Sequence, residues 1–102
     1  MAKVVVMYKT PKDPAAFDAY YSNTHIPKAK KFPGLRGYEI SHGAVATPAG
    51  ASDVHLVAML SFDNMAAIQT ALMSPEGQTA VADLSNFASG GVEILMFESG
   101  DA

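Results

Sequence analysis

Three segments of this chain read as strands that are apolar on both alternating faces, yet its helices suffice to cover only one side of a sheet. Residues 3–9 place Val4, Val6 and Tyr8 on one side and Val5 and Met7 on the other. Residues 54–62 place Val54, Leu56, Ala58, Leu60 and Phe62 on one side and His55, Val57, Met59 and Ser61 on the other. The closing segment, Val92 to Glu98, is apolar in both registers. Successive side chains of a strand point to opposite faces, so two apolar registers mean burial on two sides. Residues 35–42 alternate differently: Arg36, Tyr38, Ile40 and His42 share one face, and polar residues on both sides suit an edge strand.

Two helical regions separate these strands. Asp13 is a suitable N-cap and Pro14 suits the first helical position, opening a helix over 13–25. Phe17, Tyr20 and Tyr21 form its apolar patch. Pro27 disfavours helical geometry at Ile26, so the spacing predicts a break there and a short second helix ending at Pro33-Gly34. A third helix spans 64–73, capped by Asp63 or Asn64, with Met65, Ile68 and Leu72 inward. A fourth begins at Ser74-Pro75-Glu76, with Val81 and Leu84 inward. Residues 43–52 mix Gly, Pro and Ala without charge and read as a long surface loop.

The resulting order is β-α-β-β-α-β, an α+β class with the ferredoxin-like arrangement of a four-stranded antiparallel sheet. The 102 residues make one domain, 1–102. An apolar sheet face left bare would span several hundred Å², more than a monomer normally exposes. A second copy packed sheet against sheet about a two-fold axis is the simplest cover, so a homodimer is expected.

Composition narrows the function classes. With no Cys, a disulfide scaffold, a Cys-ligated metal and a thiol nucleophile are excluded. No run approaches ~20 apolar residues, so a helical membrane span is not expected. The N-terminus runs straight into a strand with no basic leader and apolar stretch, and the expectation is a cytoplasmic protein. The net charge of −3 disfavours nucleic-acid binding. RNA-binding RRM domains share this element order, but their third strand is basic and aromatic, whereas Val54–Phe62 holds no basic residue. All seven Lys and Arg lie in residues 1–36, and residues 37–102 hold eight acids and none of the bases. Either the two halves attract each other in the fold, or Lys28, Lys30, Lys31 and Arg36 make a local field for an anionic or enolic ligand.

The stretch Tyr8–Tyr38 resembles the EthD family, named for ethyl tert-butyl ether degradation. The resemblance is carried by Asp13-Pro14, Phe17 with Tyr20-Tyr21, His25-Ile26-Pro27, Lys31, and Pro33-Gly34-Leu35-Arg36 leading into Tyr38. It implies a dimeric α+β barrel, with a cavity between sheet and helices in each subunit and the motif His near its mouth. It does not imply one reaction, because the wider superfamily spans cofactor-free monooxygenases, cyclases, dehydratases, isomerases and haem-binding members.

His25 is the foremost candidate for chemistry. It follows Tyr21 and Phe17 at spacings of four and eight, so it shares their face. Imidazole titrates near neutral pH, as a proton-transfer group should. The alternative is a structural His that locks the corner by hydrogen bonding. Tyr38 and Arg36 share a strand face and could polarise a carbonyl or hold an enolate. The alternatives are a packed Tyr with a solvated hydroxyl and an Arg paired with an acid. Tyr8, Phe17 and Tyr21 would wall a substrate pocket or simply fill the core. His42 and His55 lack partners at metal-ligand spacing, so no metal is expected. No cofactor motif occurs, and no cofactor is expected; were haem bound, His25 would be its ligand. Three functions remain. One is a cofactor-independent enzyme moving a proton beside a carbonyl of an apolar, oxygenated small molecule, in isomerisation, dehydration or cyclisation. Another is a non-catalytic protein that holds or delivers such a ligand. The third is oxidative, a cofactor-free or haem-dependent monooxygenase.

Overall fold

The computed structural model describes residues Met1–Ala102. Its elements are β1 (Ala2–Lys9), α1 (Pro14–Tyr20), a π-helical turn (Tyr21–His25), α2 (Ile26–Ala29), β2 (Gly37–Ile40), β3 (Ala46–Thr47), β4 (Gly50–Ala51), β5 (Val54–Phe62), α3 (Met65–Met73), α4 (Pro75–Phe87) and β6 (Val92–Glu98). The main sheet runs β2-β5-β1-β6, with every pairing antiparallel. This is the ferredoxin-like α+β order. The expected loop over 43–52 instead folds into a small exposed hairpin of β3 and β4.

The helices start where their caps dictate. The Asp13 side chain accepts from the Ala16 N–H at 3.1 Å, with Pro14 next in line. Asn64, not Asp63, caps α3, accepting from the Ala67 N–H at 2.8 Å. Ser74 caps α4 through the Gly77 N–H at 2.9 Å. The predicted break at Ile26 does not occur. The backbone there is helical, and the Ile26 N–H donates to the Tyr21 carbonyl five residues back. In a regular α-helix the Pro27 ring would press on the carbonyl four residues earlier. The widened turn relieves that pressure, and the chain continues into α2.

Core burial follows β1 and β5. Val4, Val6 and Tyr8 meet Leu56, Ala58, Leu60 and Phe62 under the helices, joined by Phe17, Tyr21, Ile68, Ala71 and Phe87. The alternation expected for β5 fails at its first two residues, Val54 and His55. Tyr8 pairs with Leu56 and Lys9 with Val54, leaving His55 in a bulge. His55 is thereby turned toward α1, where its ring meets Phe17 edge-on at 5.0 Å and Nε2 lies 2.7 Å from Asp18.

The other sheet face has no helical cover. Cross-strand pairs place Val5 beside Met59 and Leu95, and Met7 beside Val57. At the edge, β6 is exposed along its whole length; Leu95 and Phe97 face outward, while Ile94 and Met96 stand beside Val6 and Val4 on the helical side.

The α3–α4 corner holds the helical layer in place. A Cβ at Gly77 would overlap the Ala71 carbonyl oxygen, which is backbone and cannot step aside. Gly77→Ala is expected to destabilise the chain by about 1–3 kcal/mol, read as a lowered midpoint in denaturant unfolding.

Candidate functional site

Sheet and helices do not close completely on each other. Between them lies a cavity of about 330 Å³, at the lower end of the ~300–1,000 Å³ typical of small-molecule sites. Of its eighteen lining residues, His25 is the only one outside the hydrophobic class. Small side chains make the room: Ala29 from α2, Ala58 from β5, Ala71 from α3 and Ala80 from α4. Val81, Ile94 and Met96 also line it and are about two-fifths exposed, at 44%, 43% and 39%, so they mark the open side. His25 stands in the buried wall, 5% exposed, rather than at that opening.

A column of rings delivers His25 to this wall. Phe17 and Tyr21 are stacked at 5.8 Å, and Tyr21 and His25 at 5.5 Å. Residues four apart on a helix are neighbours, and the π-helical turn keeps them so. Phe87 packs against the His25 ring at 4.7 Å from the α4 side.

His25 Nδ1 lies 3.0 Å from Oδ2 of Asp83, a carboxylate only 2% exposed. The other oxygen, Oδ1, accepts from the Tyr20 hydroxyl at 2.6 Å, Asn86 Nδ2 at 2.8 Å and Lys28 Nζ at 3.1 Å. Burial pushes the Asp83 carboxyl up, but these hydrogen bonds outweigh it and hold it well below the usual carboxylate range. For His25 burial dominates. It pulls the imidazole below its ordinary 6.5, and the nearby Lys28 ammonium adds to this while the Asp83 hydrogen bond and charge oppose it. The ring is therefore neutral near pH 7.

Three phenols stand nearby. Tyr8 and Tyr38 line the cavity, and the Tyr38 and Tyr21 hydroxyls are 2.7 Å apart. Burial raises all three above the ordinary phenol value, so they remain protonated donors.

The sequence-derived candidates thus divide. His25, Tyr38 and Tyr8 come together on the cavity. Tyr21 sits behind them, reaching the site through its hydroxyl contact. Phe17 is core, 3% exposed, and does not line the cavity. Arg36 lies outside altogether, in an exposed two-bond pair with Asp63 at 3.0 Å. It precedes β2, so the strand face assumed for it does not extend to it. Asp83 was not among the candidates. Its signal was an acid in a stripe spaced three and four apart, Ala80–Asp83–Leu84–Phe87. Val81 and Leu84, expected inward on α4, both line the cavity, Val81 at its open side and 44% exposed, while the buried stripe of the helix is Gly77, Ala80, Asp83 and Phe87.

The model of the EthD domain family matches residues 9–91. An uncharacterized 11.0 kDa protein from the thcB-thcC intergenic region of Rhodococcus erythropolis is 38% identical over 95 residues, covering 93% of this chain and 91% of that one. A crystal structure of an ethyl tert-butyl ether degradation (EthD) family protein from Bacillus halodurans superposes with a TM-score of 0.90 at 31% identity, covering 98% and 99% of the two chains. Two more distant structures share the fold. SnoaB, a cofactor-independent oxygenase from Streptomyces nogalater, has a TM-score of 0.69 at 18% identity over 99% and 94% of the chains. A dimeric protein of unknown function with a ferredoxin-like fold, from Bacteroides fragilis, has 0.64 at 17% over 96% and 95%. No helix of the chain is long and apolar enough to cross a membrane.

The depressed basicity of His25 has a signed consequence. Between its folded value and 6.5, the unfolded chain binds more protons than the folded one, so stability falls as pH drops through that window. Asp83 stays ionised there and adds no slope. Denaturant midpoints are expected to decline as pH falls through 6.5 toward the lower folded-state value, less so in His25→Gln, and the His25 ring protons are expected to titrate below 6.5 by NMR.

Proposed function

The chain belongs to the EthD domain family, and within that family we propose that it binds an apolar, carbonyl-bearing small molecule and moves a proton beside that carbonyl without a cofactor. The observation that carries this reading is one neutral imidazole in an otherwise hydrophobic cavity. A cavity lined only by alkyl and aryl groups would hold a ligand; one containing a free base can also act on it.

The geometry supports the following roles. The imidazole takes a proton from the carbon next to the carbonyl. The electron pair of that C–H bond moves to the carbonyl oxygen, giving an enolate. The Tyr38 hydroxyl, itself paired with Tyr21, donates to that oxygen. Return of the proton to a different carbon gives isomerisation; loss of a hydroxide or alkoxide from the next carbon gives elimination. The hydrophobic walls exclude water, which strengthens both the hydrogen bond and the charge stabilisation. Tyr8 is a wall of the substrate site. Phe17 supports Tyr21 from behind and touches no ligand.

Two copies of the chain pair through the bare sheet face, where Val5, Met7, Val57, Met59, Leu95 and Phe97 share one side. The likeness to a dimeric ferredoxin-like protein supports this arrangement.

β-Tetralone, a bicyclic ketone with acidic protons beside its carbonyl, serves as a probe. In D₂O the protein is expected to accelerate its hydrogen–deuterium exchange well beyond an equal concentration of free imidazole, as followed by NMR. His25→Ala should abolish the acceleration with the fold intact, and Tyr38→Phe should reduce it about 10- to 100-fold. Binding of the ketone without acceleration would replace this reading with a non-catalytic, ligand-holding one. For the assembly, sedimentation is expected to give twice the 10.7 kDa chain mass, and Met59→Glu to give monomer; a wild-type monomer at high concentration would overturn the pairing.

A further inference from the structure

We infer that Asp83 is a positioning residue that fixes the proton of His25 on Nδ1, so that Nε2 is the atom presented to the cavity as the base. The catalytic part of this inference rests on the proton-transfer reading above; the tautomer stands or falls independently of it.

The two oxygens of Asp83 are used differently. Oδ1 is taken by three donors that converge from three elements: Tyr20 of α1, Lys28 of α2 and Asn86 of α4 itself. Oδ2 is left to His25 Nδ1 alone. Three donors on one oxygen fix the plane of the carboxylate and aim the second at the ring. An ionised carboxylate only accepts hydrogen bonds, so Nδ1 must donate, and a neutral ring then carries its lone pair on Nε2. Nε2 makes no hydrogen bond to the protein and is not a sealed, unpartnered atom. It belongs to a ring that lines the cavity. Phe87 of α4 and Tyr21 of its own turn pack against that ring, leaving it little room to turn over.

The charges around the pair are balanced. From α4 comes the Asp83 carboxylate, and from α2 the Lys28 ammonium, 3.1 Å from Oδ1. Tyr20 from α1 and Asn86 from α4 are neutral donors, and the other titratable side chains lining the cavity, Tyr8 and Tyr38, are protonated phenols. Asp83 alone would favour a resting imidazolium, which cannot accept a proton. Burial of the ring, with a smaller contribution from Lys28, outweighs that pull, so the resting ring stays neutral while the carboxylate remains in place to steady the imidazolium once the proton arrives.

The test is ¹⁵N NMR of the imidazole in the full chain above its titration. The expected wild-type spectrum has a protonated Nδ1 and an unprotonated Nε2. In Asp83→Asn the carboxamide can offer its N–H₂ to Nδ1, so the proton is expected on Nε2, and β-tetralone exchange is expected to fall about 100-fold or more while β-tetralone still binds. Asp83→Glu should retain the Nδ1 proton and recover part of the exchange. Lys28→Met should keep the tautomer and move both the His25 titration and the acid limb of the exchange profile to higher pH. A wild-type ring protonated on Nε2 overturns the inference even if Asp83→Asn does not fold, as does an Asp83→Asn ring with the wild-type tautomer and exchange rate. If the proton moves as expected but neither protein accelerates exchange, the positioning role is upheld and the proton-transfer function is overturned. If His25→Ala abolishes exchange and Asp83→Asn leaves it unchanged, the function stands and the positioning role falls.

Discussion

Burying a carboxylate costs several kcal/mol unless its hydrogen bonds are restored, and Asp83 is buried where α1, the π-helical turn, α2 and α4 meet. Each of these elements contributes a group to it: Tyr20, His25, Lys28 and Asn86. Removing one member would leave the buried carboxylate short of a hydrogen bond, at a cost of about 1–3 kcal/mol. The surrounding aromatic column supplies non-directional burial and would tolerate small rotations of the helices. The carboxylate does not, because its donors must arrive within hydrogen-bonding distance. The positions of the helices over the sheet, and with them the shape of the cavity, are therefore set by this polar junction more than by the hydrophobic contacts around it.

The cavity is difficult to account for as packing alone. An empty apolar void costs about 24 cal/mol per Å³, which for 330 Å³ would approach 8 kcal/mol if it were sealed and dry. That is an upper figure, since the space opens beside Val81, Ile94 and Met96, but it is comparable with the whole stability of a small domain. Larger side chains at Ala29, Ala58, Ala71 or Ala80 would remove the void. A chain that keeps four alanines on one hollow, and sets one of its three imidazoles there beside tyrosine side chains, holds that space open at a cost to its stability.

Much of the architecture was legible in one dimension. Strand limits at Val54–Phe62 and Val92–Glu98, the caps at Asp13 and Ser74, and the bare apolar sheet face all follow from side-chain period and local hydrogen bonding. The departures have individual causes. Pro27 was expected to end a helix, but a five-residue hydrogen-bonded turn accommodated it. His55 obeyed the period of its strand until a bulge turned it over. On α4, Val81 and Leu84 face the cavity as their spacing predicts, but the deepest burial lies one residue round, at Gly77, Ala80 and Asp83, where the helix packs closest. Arg36 was grouped with Tyr38 by parity, but it lies before β2 begins and pairs with Asp63. Of the candidate residues, His25, Tyr38 and Tyr8 are those the fold brings to the cavity.

Sequence by itself determined the element order, the one-sided helical layer and the helix face that carries His25, because these depend on spacing within a few residues along the chain. Only the tertiary structure decided that His25 meets Asp83, fifty-eight positions away, that Tyr21 and Tyr38 share a hydrogen bond, and that the space between them stays open. Those outcomes depend on where separate elements come to rest against one another. An acid in a helical stripe does not reveal its partners until the helices are packed.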